Sequence, residues 1–99
     1  MEPIKRYIES VTSSNLWLYV LSLGKEREVI DAEVTKLIFE KFGFLPNDLM
    51  IKTVLFRLKN DGYLSRERFK SQKAFKTTEK GLKELEAMKS YSANLIQKL

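Results

Sequence analysis

Apolar residues recur at helical spacing in the first quarter of the chain. A short amphipathic helix is predicted by four apolar residues at positions i, i+3, i+4 and i+7, namely Ile4, Tyr7, Ile8 and Val11. Residues 16–23 are apolar nearly all round, so a helix here has to be covered on most sides and is expected at the centre of the domain. Ser14 or Asn15 is placed to cap this helix and Gly24 to end it, which favours a helix over a buried strand.

Two more helices are predicted at about 31–42 and 47–61, joined by a turn that contains Gly43. Asp31 is expected to cap the first of them and Asn47 the second, while Gly43 suits a left-handed helix end. Each helix has one apolar face, formed by Val34, Leu37, Ile38 and Phe42 in the first and by Ile51, Val54, Leu55 and Leu58 in the second.

The segment after Gly62 is predicted to be a β-hairpin, with strands at 63–68 and 73–77 and a polar turn at 69–72. Val29 and Ile30 are suited to a further short strand. Thr78 is expected to cap a last helix, at about 79–99. The order of these predicted elements indicates one domain over residues 1–99, mainly α with a small β-hairpin (α+β).

The basic residues are concentrated in the second half of the chain. The net charge is +5, but residues 51–99 carry 12 Lys and Arg against 5 Asp and Glu, whereas residues 1–50 carry 6 against 8. A one-sided basic half indicates a polyanionic partner, either nucleic acid or an anionic membrane surface. Lys and Glu also greatly outnumber Asn and Gln, which is typical of a heat-adapted source.

Several classes of protein are excluded by composition. The chain has no Cys and no His, which removes disulfides, zinc fingers and His-dependent catalytic triads. The sequence contains no Gly-rich phosphate loop, no HExxH motif and no cluster of metal ligands, so we expect neither an enzyme nor a metal or other cofactor. No apolar run is long enough to span a bilayer and the N-terminus lacks the apolar region of a signal peptide. We therefore expect a cytoplasmic protein with no membrane partner.

The two helices at 31–42 and 47–61 and the hairpin after them are arranged as in a helix-turn-helix with a wing. The segment 55–64, LFRLKNDGYL, resembles the end of a winged-helix recognition helix. The segment 73–81, KAFKTTEKG, resembles the one that closes the wing in PadR-like, MarR-like and small archaeal or archaeal-virus winged-helix regulators, with Thr77 in place of the usual leucine. The resemblance implies a winged helix-turn-helix with extra terminal helices, acting as a homodimeric, sequence-specific regulator that binds double-stranded DNA.

In such a module the second helix enters the major groove and the wing lies along the phosphates. The recognition-helix residues expected to contact DNA are Asn47, Lys52, Thr53, Arg57 and Lys59. The wing residues expected to do so are Arg66, Arg68, Lys70, Lys73 and Lys76. Alternatively, the charged hairpin is only a solvated edge that resists aggregation. Phe56 is expected to pack on the wing, with contact to a thymine methyl group as the alternative.

The last helix carries a broad apolar stripe that reaches about 27 Å beyond the hairpin. The residues expected to form a dimer interface are Leu85, Met88, Ser92, Leu95, Ile96 and Leu99. Alternatively, this stripe folds back on the N-terminal helix of the same chain. The N-terminal stripe is also a possible part of the dimer interface.

The function expected from these features is that of a dimeric DNA-binding regulator located at the nucleoid, or in a host cytoplasm if the source is a virus. Two alternatives stay open: a winged-helix protein-interaction module without DNA binding, and a sequence-neutral nucleoid protein.

Overall fold

The computed structural model describes residues 2–99. Five α-helices and three strands follow one another along this part of the chain: α1 Pro3–Val11, α2 Leu16–Leu23, β1 Val29–Ile30, α3 Val34–Phe42, α4 Asp48–Asn60, β2 Leu64–Phe69, β3 Gln72–Thr77 and α5 Glu79–Lys98. The mainly helical class with a small hairpin is confirmed. Over the same residues, no helix combines the length and hydropathy needed to cross a bilayer.

Helix α2 lies at the centre of the core, as its apolar sequence predicts. Val20 and Leu21 are completely buried, and α2 contacts α3, α4 and α5. Asn15 occupies the position before this helix, but its side chain accepts from the indole Nε1 of Trp17 instead of capping a backbone N–H. The hydroxyl of Tyr19 donates to the carbonyl of Val11 and so connects α2 to α1. Burial raises the pKa of this hydroxyl, with a smaller contribution from Tyr7, so it stays a neutral donor.

The sheet contains three antiparallel strands in the order β1-β3-β2. Val29 pairs with Phe75, which confirms the short first strand, and Phe75 is the largest fully buried side chain. The predicted four-residue turn is wrong, because Phe69 pairs with Gln72 and only Lys70 and Ser71 form the turn. Both residues have positive φ, 52° and 64°, as in primed hairpin turns that match the twist of the strands. Such turns usually contain Asn-Gly, so Lys-Ser gives little sequence signal.

The predicted N-cap at Asp31 is also wrong. Residues Asp31–Glu33 form a 3₁₀ turn ahead of α3, and the carboxylate of Asp31 contacts Lys59 instead. The caps expected at Asn47 and Thr78 are confirmed: Asn47 accepts from two backbone N–H groups of α4, and Thr78 accepts from the N–H of Gly81. At the end of α3, Gly43 has φ 81°, the left-handed conformation that its position predicts.

The base of the hairpin is fixed to the helices through Thr77, the residue that replaces a leucine. Its Oγ1 donates to the carbonyl of Leu21 at 2.7 Å, and its N–H donates to the carbonyl of Gly24 at 2.8 Å. A Cβ on Gly24 would lie 2.7 Å from Thr77 Oγ1, so glycine allows this close approach. The hydroxyl therefore satisfies a carbonyl at the end of α2 that a leucine would leave unpaired.

Gly81 permits an equally close approach between α5 and the hairpin. A Cβ at this position would collide with the carbonyl oxygen of Tyr63 and come within 2.7 Å of Thr77 Cγ2. Helix propensity alone predicts that alanine is stabilising by about 1 kcal/mol in a helix. The collision reverses this sign.

Gly81→Ala is expected to lower the free energy of unfolding by about 1–3 kcal/mol, the usual cost of overpacking. Urea unfolding followed by circular dichroism measures the change. Ala87→Gly, at an exposed position of the same helix, is the control and should cost about 1 kcal/mol through propensity alone. A more stable Gly81→Ala variant would contradict the close packing described here.

Candidate nucleic-acid interface

Helix α4 is fixed near both ends to the segment that precedes it. Near its start, Thr35 Oγ1 donates to Asp48 Oδ1 at 2.6 Å. Near its end, Lys59 Nζ lies 2.8 Å from Asp31 Oδ2. These contacts set the angle between the two helices of the helix-turn-helix and hold the outer face of α4 in one position.

Lys59 is thus engaged inside the domain, whereas the sequence prediction gives it a free position on the outer face of α4. Its side chain is 10% exposed, and its positive charge is paired with the carboxylate of Asp31. The expected placement of Lys59 is therefore corrected: its ammonium group stabilises the packing of α4 against the 3₁₀ turn.

Lys59→Ala is expected to destabilise the fold by about 1–3 kcal/mol, because it leaves the partly buried carboxylate of Asp31 without its partner. Lys52→Ala, at an exposed position of the same helix, should change stability by less than about 0.5 kcal/mol. Thermal and urea unfolding measure both variants. If the two variants unfold alike, the ion pair contributes nothing to the packing of α4. The double variant Asp31→Ala/Lys59→Ala should recover part of the loss.

The other predicted residues of α4 have different surroundings. Asn47 Oδ1 accepts from the N–H groups of Leu49 and Met50, at 2.9 and 3.1 Å, so its side chain caps the helix. Lys52 and Arg57 are exposed and have no side-chain partner in the described residues. Thr53 is also exposed, and its Oγ1 donates to the carbonyl of Leu49 at 3.0 Å.

A groove of about 860 Å³ separates α4 from the hairpin. Lys52 and Phe56 line it from the helix. The hairpin lines it with Arg66, Arg68 and Lys73. The three hairpin cations lie on one face of the paired strands, because residues 66 and 68 share a face with residues 73 and 75 in this register. The groove therefore has basic side chains on both walls, and the carboxylates of Asp31, Asp48 and Glu67 line it as well.

The wing presents its cations to solvent. All five of the predicted residues are exposed: Arg66, Arg68, Lys70, Lys73 and Lys76. Arg68 Nη1 donates to the carbonyl of Ser71 at 3.1 Å, which supports the turn. Lys76 lies on the face of the hairpin opposite to that of Arg66, Arg68 and Lys73, and it does not line the groove. The structure thus brings four of the five together along the groove side and the tip.

The expected packing of Phe56 on the wing is wrong. Its side chain is 63% exposed at the edge of the groove. Sequence reasoning also missed Leu49 and Met50, which are 72% and 50% exposed on the same helix. A signal for Leu49 was present, because it lies seven residues before Phe56 and outside the apolar stripe that the core buries.

The residues predicted for a dimer interface divide into three groups. Leu85 is 2% exposed and belongs to the core of its own chain, so its placement on an exposed interface is corrected. Met88 and Ser92 are half-buried, with Ser92 Oγ 3.7 Å from Met88 Sδ. Three residues near the C-terminus are exposed: Leu95 at 46%, Ile96 at 64% and Leu99 at 93%.

The stripe of α1 is exposed as well, since Ile4, Tyr7 and Ile8 are each more than half exposed. No residue of α1 is buried. The alternative in which α5 folds back on α1 would cover both stripes, and the described part of the chain does not show this. Two apolar helix surfaces therefore face solvent at the same time.

Comparisons with solved structures identify other proteins with this fold. A PadR family transcriptional regulator from Eggerthella lenta DSM 2243 superposes with a TM-score of 0.79 at 20% identity, over 95% of this chain and 86% of that one. A PadR-like transcriptional regulator from Bacillus cereus gives a TM-score of 0.68 at 23% identity, over 86% and 87%. Bacillus subtilis PadR in complex with operator DNA gives 0.67 at 20% identity, over 75% of this chain and 46% of that one.

No protein-family model matches the chain, and no curated sequence matches it. At these levels of identity the structural likeness establishes the winged-helix fold. The fold alone does not assign a function, which depends on the residues of the site.

Proposed function

We propose that this chain is a winged-helix DNA-binding transcription regulator and not an enzyme. Helix α4 would enter the major groove while the wing lies along the phosphate backbone. The observation that carries this proposal is the row of exposed cations on the hairpin, on the same side as the outer face of α4. A solvated edge would need charge, but not a hairpin on which five exposed cations stand against one acid, Glu67.

Positioning and base reading would be done by different residues. Arg66, Arg68, Lys70 and Lys73 would contact phosphates, which carry no sequence information by themselves. Lys52, Thr53 and Arg57 would face base edges, and Asn47 would support them by capping α4. Lys59 would contribute only indirectly, by holding the helix in position. The Bacillus subtilis PadR structure contains operator DNA and shares this fold, which supports the assignment.

A homodimer is the proposed active form. The exposed stripes of α5 and α1 would pair with those of a second copy, because apolar surface exposed in this way often marks a protein–protein interface. Two recognition helices related by a two-fold axis would then meet DNA about 34 Å apart, one helical turn, and the protected sites would be palindromic. Location at the nucleoid and a heat-adapted, archaeal or viral source stay predictions.

Arg57→Ala tests base reading. Arginine binds guanine through two hydrogen bonds, so this variant should lose about 1–3 kcal/mol on the preferred site and much less on random DNA. Gel-shift titrations of the wild type and the variant on both DNAs, at two salt concentrations, give the loss of binding free energy on each DNA.

The same titrations separate the alternatives. Equal losses on specific and random DNA would indicate a sequence-neutral nucleoid protein. Wild-type protein that binds neither DNA would indicate a protein-interaction module. Lys41→Ala, at the exposed end of α3, is the matched control and should leave both affinities unchanged.

A further inference from the structure

Helix α4 carries apolar side chains on its solvent side as well as on its buried side. Leu49 and Phe56 are 72% and 63% exposed, and Thr53 lies between them. Their spacing of four and then three residues places the three side chains in one line along the helix. We call these three residues the apolar row. On the opposite side of the helix, Ile51 and Leu55 are buried in the core.

Charged side chains of both signs surround the apolar row. The acidic ones, Asp48 and Glu67, accept hydrogen bonds from the hydroxyls of Thr35 and Ser65, whereas the basic ones have no such partner in the described residues. Lys52 and Arg57 adjoin it on α4, and Arg66 faces it from the groove. An apolar protein partner would have to remove water from these charges, and the centres of protein interfaces are depleted of charged residues. The major groove of DNA has the matching arrangement, because thymine presents a methyl group on its floor between two rows of phosphates.

The polar group of Thr53 is already engaged. Its hydroxyl donates to the carbonyl of Leu49 at 3.0 Å, so the Thr53 methyl group is the part of the side chain without a partner. From Leu49 to Phe56 the helix advances about 10 Å. Three base steps of DNA at 3.4 Å each cover the same distance. The row can therefore meet neighbouring bases along one stretch of the groove.

We infer that the apolar row recognises thymine methyl groups and that Phe56 makes the main contact. This inference rests on the proposed DNA-binding function and adds a base preference to it. Each half of the preferred site should contain thymines opposite α4, with Lys52 and Arg57 contacting base edges or phosphates beside them.

The experiment uses the full chain and a random duplex library, from which the bound sequences are selected over several rounds. The most enriched duplex is then synthesised with thymine and, separately, with deoxyuracil at each thymine in turn, which removes only the methyl group. Fluorescence anisotropy at one fixed salt concentration gives the dissociation constants. At a contacted position the wild type should bind the deoxyuracil duplex about threefold to fourfold more weakly, the change expected for one methyl-sized group.

Phe56→Ala should abolish this discrimination and bind both duplexes alike. Phe39→Ala is the matched control, because Phe39 is 55% exposed on α3 and does not line the groove, so this variant should still discriminate. Circular dichroism verifies that both variants are folded. An enriched site without thymine, a wild type insensitive to deoxyuracil, or a Phe56→Ala variant that still discriminates would each overturn the inference while leaving the proposed function standing. Selection that enriches no sequence would overturn both.

Discussion

Removal of residues 88–99 is expected to convert a dimer into a folded monomer. The part of α5 that remains, residues 79–87, keeps Leu85, which is buried in the core, and the cap made by Thr78. The residues removed include Leu95, Ile96 and Leu99, whose exposed apolar surface has no partner within the described chain. Covering that surface is the main free-energy gain available from pairing, at about 25 cal/mol per Å². Sedimentation at tens of micromolar measures the mass of both forms.

Two full-length variants control for the shortened helix. Leu95→Glu/Ile96→Glu places charges in the stripe and should give a monomer without removing any residue. Ser90→Glu/Asn94→Glu adds the same charge on the opposite side of α5 and should leave the dimer intact. Full-length wild-type protein that is already monomeric at these concentrations would contradict the proposed assembly.

The helices were predictable because their signals are local. Apolar spacing identified α1, α3 and α4, and the caps at Asn47 and Thr78 came from residue types with a known preference. The hairpin turn was misjudged for the opposite reason. Lys70 and Ser71 adopt a left-handed conformation because the pairing of β2 with β3 requires it, and neither residue type indicates this locally.

The candidate site was predictable only in outline, because charge shows in a sequence and contacts across the fold do not. The exposed cations of the wing were predictable from the many basic residues in the hairpin and from the alternation of side chains along a strand. The ion pair of Lys59 with Asp31 joins residues 28 positions apart, so no local pattern distinguishes Lys59 from the free Lys52. Leu85 and Leu95 likewise belong to one stripe in the sequence, but the fold buries Leu85 and leaves Leu95 46% exposed.

Removing the charge of the wing is expected to have the largest effect on DNA binding. In the variant Arg66→Ala/Arg68→Ala/Lys70→Ala/Lys73→Ala, four exposed cations beside the groove and at the tip are lost. Each phosphate contact releases counterions and contributes about 0.9 to the slope of log K against log salt concentration, so the slope should fall by about 3.6 per protomer. At 0.1 M salt this corresponds to a loss of affinity on the order of a thousandfold for each protomer that contacts the DNA.

The loss should be the same on every sequence, because phosphates are common to all DNA. The control variant Lys25→Ala/Lys41→Ala/Lys83→Ala/Lys89→Ala removes the same net charge from exposed positions outside the wing and the groove. It should change the slope far less, since long-range attraction is screened beyond about 10 Å at this salt concentration. Titrations of both variants and the wild type between 50 and 300 mM salt give the three slopes. If the two variants lose the same slope, net charge alone accounts for binding and the wing has no special position on the phosphate backbone.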